Sequence, residues 1–94
     1  MAWKPTLLED SLDPWLAIEP DVKRRRAVIK FLMDLCQQGG TWDGARPIAG
    51  TKMPAFAAGV PDQGVVVVWV VATSFEQLAI RYVYDIRRDV RFGG

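Results

Sequence analysis

Residues 64–86 read "GVVVVWVVATSFEQLAIRYVYDI", and their pattern decides the fold. Val65–Ala72 is an unbroken apolar run dominated by β-branched valine, which suits a strand better than a helix. It is apolar on both faces, so it is expected at the centre of a sheet covered on both sides. A membrane-spanning helix would need about 20 such residues, which excludes that use. In "QLAIRYVYDI" the apolar positions alternate as Leu78, Ile80, Tyr82, Tyr84 and Ile86. That period gives them one face of a strand and sends Arg81, Asp85 and Arg87 to the other. The "TSFEQ" between the two runs is expected as a longer hairpin loop. Upstream, "VPDQG" puts Pro, Asp and Gly in turn positions. Before it, "PAFAAGV" reads as a poorer third strand, because Ala and Gly are weak strand formers.

Further toward the N-terminus, "DVKRRRAVIKFLMDLCQQGG" (residues 21–40) has helical periodicity. Val28, Ile29, Leu32, Leu35 and Cys36 form the expected buried stripe, with Phe31 and Met33 at its margins. Asp21 is the expected cap, and Gly39 or Gly40 the left-handed exit. Lys23, Arg24, Arg25, Arg26 and Lys30 fall mostly off that stripe, and cations in a first turn oppose the helix dipole. Such a run is either a solvated face or a surface held ready for an anionic partner. "SLDPWLAIEP" reads as a short helix, with Ser11 as N-cap, Pro14 in the first turn and Pro20 as the stop. "KPTLLE" (residues 4–9) reads as a short first strand, and the Gly-rich residues 40–53 as an irregular crossing loop. The expected fold is α+β: an antiparallel sheet packed by two helices on one face, in β-α-α-β-β-β order, as a single domain over residues 1–94.

Half of the 94 residues are apolar and 24% are charged, an ordinary globular balance. "MAWKPTLLED" lacks the apolar segment of a secretory signal, and Cys36 stands alone, so a reducing cytoplasm is the expected location. One Cys and no His disfavour a transition-metal site and any Ser-His or Cys-His catalytic pair. No dinucleotide fingerprint occurs, and "GTWDGARPIAGTK" lacks P-loop spacing, so no cofactor is expected. The net charge of +1 conceals segregation. Residues 1–21 carry one cation against five anions, whereas residues 22–52 carry seven against two. Residues 53–94 balance at four of each, with Arg87, Arg88 and Arg91 bunched at the end. A chain so divided can present a basic surface without a basic total.

A short strand, two helices and a three-strand meander ending in an arginine cluster resemble the RelE/ParE superfamily of bacterial toxins. "PDVKRRRAVIKFLMDL" is similar to that family's basic, Leu-striped second helix, and "RPIAGTK" to its Gly-containing entry into the sheet. "YDIRRDVR" resembles its closing strand. Two departures are visible there: Ile86 stands where ribonuclease members often carry His, and Arg91 where they often carry Tyr. A third lies in the central strand, which reads "VVVVW" where many members carry an Arg followed by a Tyr.

The resemblance implies a toxin of a type II toxin–antitoxin pair, bound by a cognate antitoxin and independent of membranes. Its mode would be either ribosome-dependent mRNA cleavage or the non-catalytic binding of DNA gyrase. For cleavage, the residues implied are Lys52, Arg81, Arg87 and Arg88: the arginines, with Arg91, as cations stabilising a developing phosphorane, and Lys52, Glu76, Asp85 or Asp89 as the base. For partner or nucleic-acid contact the candidates are Lys23, Arg24, Arg25, Arg26, Arg91 and Trp42, the last in a loop between Gly40 and Gly44. Trp69, on the central strand, is expected in the core. A protein-interaction module without toxicity is the alternative reading of the same surface.

Overall fold

The computed structural model describes residues 3–94. Six strands and two helices run in the order β1 (Lys4–Thr6), α1 (Leu12–Ile18), α2 (Val22–Gln37), β2 (Arg46–Pro47), β3 (Ala55–Val60), β4 (Val65–Ala72), β5 (Gln77–Asp85) and β6 (Val90–Gly93). The α+β class, with two helices packed on a sheet, stands. Three details differ from the expectation. The sheet runs β1-β5-β4-β3-β2, and β1 pairs with β5 in parallel, so it is mixed. A two-residue β2 emerges from the Gly-rich loop and pairs with β3. The arginine-rich tail turns back at Ile86–Asp89 and adds β6 to the free end of β5. No helix among the described residues is long and apolar enough to cross a membrane.

Each helix begins and ends for a local reason. The Asp21 carboxylate accepts from the backbone N–H groups of Lys23 and Arg24, capping α2 as expected. At the other end Gly39 and Gly40 both take positive φ, and Gly40 N–H donates to the Leu35 carbonyl. A Cβ on Gly40 would stand 2.7 Å from Leu78 Cδ2, so the exit also needs the missing side chain to clear the sheet. Ser11 precedes α1 without capping it, because its hydroxyl donates backwards to the Leu7 carbonyl at 2.7 Å. The first strand is shorter than residues 4–9 for a related reason: Leu7 adopts φ 62, which ends the extended run at Thr6.

One hydrophobic cluster lies between the helices and one face of the sheet. It contains Leu12 and Trp15 of α1, Val28, Phe31, Leu32, Leu35 and Cys36 of α2, and Val60, Val65, Val67, Trp69, Leu78, Ile80 and Val83 of the strands. Trp69 is fully buried as expected, and its indole N–H donates to the Gly40 carbonyl. The stripe on α2 is rotated from its predicted position. Phe31 is buried, tilted against Trp42 and edge-on to Trp69, while Ile29 is 38% and Met33 63% exposed.

The central strand is covered on one side only. Val65, Val67 and Trp69 face the helices, but no element among the described residues covers Val66, Val68 and Val70. Val68 is nonetheless buried, with Ala57 of β3 and Tyr82 of β5 on either side and Ile48 and Thr51 of the loop after β2 beside it. Within β5 the alternation changes phase. Trp69 faces Ile80 and Val68 faces Tyr82, so Arg81 is an extra residue, a β-bulge. Beyond it Val83 and Asp85 point toward the helices, and Tyr82 and Tyr84 take the uncovered face, opposite to the strict-alternation assignment.

Candidate functional site

The sequence-predicted residues separate into two groups that the fold sets apart. The first surrounds Asp85, which is 0% exposed. Its Oδ2 accepts from the Trp15 indole at 2.9 Å, and its carboxylate receives Arg24 at 3.0 Å and Arg88 at 2.6 Å. Glu19, buried at the end of α1, accepts from Arg24 Nη1 at 2.7 Å and from Arg88 Nη2 at 3.1 Å. The remaining Arg24 donors, Nε and Nη2, reach the Gln63 carbonyl at 3.0 and 2.7 Å. Two carboxylates and two guanidiniums thus form a neutral quartet, and no described buried side-chain polar atom is left without a partner.

The electrostatics follow from this geometry. Burial pushes the Asp85 carboxyl up, but hydrogen bonds from Arg24, Trp15 and Arg88 outweigh it and hold the group well below the usual carboxylate range. Hydrogen bonding to Arg88 lowers Glu19, against desolvation and with further help from Arg24. Burial opposes the charge on Arg24, yet Asp85 and Glu19 raise it further. Arg24 is therefore no part of a solvated helix face: it is 3% exposed with its guanidinium fully engaged. It lies four residues before Val28 and seven before Phe31, on the buried stripe itself. Arg88, with its side chain 32% exposed, is likewise held by Glu19 and Asp85. Asp85 does not join an exposed ladder with Arg81 and Arg87, because the bulge turns it inward.

The second group occupies the uncovered sheet face. Register puts Arg46 of β2 beside Ala57, which in turn lies beside Val68. On the other flank Arg91 of β6 pairs with Tyr84, and its guanidinium lies 5.1 Å from the Tyr82 ring centroid. The Tyr84 hydroxyl donates to Asp89, a contact that raises the phenol above its ordinary value. Arg81 and Lys52 line adjoining shallow depressions with Thr51 and Val70. The face therefore has an aliphatic floor, Ala57, Val66, Val68 and Val70, with cations along its margins.

The four cations implied for cleavage do not converge. Lys52 and Arg81 meet near Val70, whereas Arg87 packs on Gly64 and donates to the Asp62 carbonyl at the other end of β4. Five residues of strand separate Val65 from Val70, roughly 17 Å, and Arg88 is held within the quartet. Of the helix candidates, Lys23, Arg25 and Arg26 are exposed on α2. Trp42 packs against the core, its ring 4.4 Å from that of Phe31. No sequence pattern marks Glu19 and Trp15 as site residues, and Asp85, a candidate base there, is instead a buried, fully paired carboxylate. A charge on the apolar stripe at Arg24 was the one signal in the sequence that a buried carboxylate must exist. Compared with protein-family models, curated proteins and solved structures, the chain matches none.

Proposed function

We propose that the protein works by binding, as the toxin-type component of a type II toxin–antitoxin pair, and that its working surface is the uncovered sheet face. The observation that carries this reading is the contrast between the two groups of cations. Those needed together for cleavage are dispersed or engaged, while Arg46, Lys52, Arg81 and Arg91 flank an aliphatic floor without an acidic partner within 4 Å among the described residues. The sequence resemblance to the RelE/ParE layout supports the toxin assignment; the fold shares with that layout its α+β class, while the strand order differs from the expected one. A cognate antitoxin with an acidic segment is the partner that such a surface favours. Gyrase-type inhibition in the cytoplasm fits better than mRNA cleavage, because cleavage needs a proton acceptor and a proton donor beside converging cations.

Controlled induction in a bacterium, following growth and mRNA integrity together, tests this. Growth arrest with intact mRNA is the expected result. Arrest with new mRNA cuts would overturn the non-cleaving mode and direct attention to Tyr84, whose hydroxyl donates to Asp89 in the turn leading to Arg91. Unimpaired growth would remove the toxin assignment and leave an interaction module.

A further inference from the structure

We infer that the Lys52–Arg81 end of the uncovered face is an anchor seat for an acidic residue adjoining an aliphatic one, on a protein segment. This rests on the binding role of that face, and it specifies where and by what chemistry the partner is held. Two adjoining depressions of about 150 and 230 Å³ share Thr51, Val70 and Arg81. No carboxylate lines either one. Gly50 at φ +79 turns the loop before them, and the Thr51 hydroxyl donates to the Met53 carbonyl at 2.8 Å, fixing the segment that carries Lys52. Opposite it, the bulge in β5 supplies Arg81 as an extra residue on the strand. Two cations thus line one concavity with no ion pair to either, so an anion bound there meets two charges that have no partner of their own.

The floor of the seat distinguishes a protein segment from a nucleic acid. It is aliphatic: Ala55 and Val68 are already buried at its base and Val70 and Ile48 are partly open, so an incoming leucine or valine side chain would cover Val70 and Ile48. Single-stranded nucleic acid needs open aromatic rings on which bases stack. The one aromatic residue at the seat, Tyr82, already carries the Arg91 guanidinium over its ring.

The test is a titration of the isotopically labelled full chain with a synthetic amphipathic peptide bearing leucine on one face and glutamate along its flank. The backbone amide signals of Thr51, Lys52, Val70 and Arg81 should move, and Lys52→Gln or Arg81→Gln should each weaken binding roughly fivefold with an unchanged melting temperature. The peptide with glutamine in place of glutamate should leave those signals in place. Shifts confined to another surface, or equal binding by the glutamine peptide, would overturn the seat. Tighter binding by an oligouridylate at the same signals would overturn the protein-segment assignment. Peptide binding here without growth arrest on induction would uphold the seat and remove the toxin; arrest with no shift at the seat would do the reverse.

Discussion

Arg24 and Arg81 have the same side chain and opposite fates. Arg24 sits at the start of α2, where it neutralises Asp85 and Glu19 and ties both helices to the β3–β4 turn and the β5–β6 hairpin. Arg81 stands on a bulge at the uncovered face, with no ion pair. The difference teaches that a cluster of arginines in a sequence is not one functional unit. Here one part holds the fold together, and the other remains available to a partner.

The largest effect should come from breaking the covered side. Arg24→Met leaves two buried carboxylates with only the partly exposed Arg88 between them, and should cost about 3–5 kcal/mol in urea unfolding. Arg25→Met, one residue away and exposed, should lie within about 0.5 kcal/mol of the parent and gives the matched control. Next comes acid. Asp85 and Glu19 titrate lower in the folded chain than in the unfolded one, so their stabilisation is complete above their unfolded values near pH 4 and is lost as pH falls toward the folded ones. Melting temperatures measured from neutral pH downward should therefore fall steeply below about pH 4, and Asp85→Asn should flatten that fall while lowering the plateau.

Smaller effects sharpen the contrast within the tail. Arg88→Ala should lower the melting temperature by less than Arg24→Met, since its side chain is a third exposed and its carboxylate partners keep Arg24. Arg87→Ala should leave the melting temperature close to that of the parent, because the guanidinium makes one long hydrogen bond to the Asp62 carbonyl at 3.3 Å. Activity lost on Arg88→Ala therefore reports stability before it reports contact with a partner. The smallest change in stability belongs to Arg91→Ala, which removes only the stacking on Tyr82 at an exposed strand edge and should leave the melting temperature essentially unmoved.

Much of the fold was legible because it rests on local pattern. The run Val65–Ala72, the "VPDQG" turn, the Asp21 cap and the glycine exit of α2 each follow from backbone preference or hydrophobic period. What was not legible depends on pairing between distant segments. The parallel register of β1 on β5 leaves no mark in "KPT", and β6 is too short to show a period. The bulge at Arg81 is set by the partner strand, so alternation carried past it put Asp85, Tyr82 and Tyr84 on the wrong faces. That single phase error hid the quartet, because an Asp read as exposed gave Arg24 no reason to be buried.

The bulge makes β5 a strand in two reading phases joined at Arg81. Removing that one residue would leave Ile80 running straight into Tyr82, an unbroken alternation in which Val83 and Asp85 keep the covered side and Tyr82 and Tyr84 the open one. Such a deletion changes no charge in the quartet and no residue of the core, and it takes from the uncovered face only the Arg81 cation and the local bend of the bulge. The inserted residue therefore adds a cation to the open face while the ladder on either side keeps its pairing.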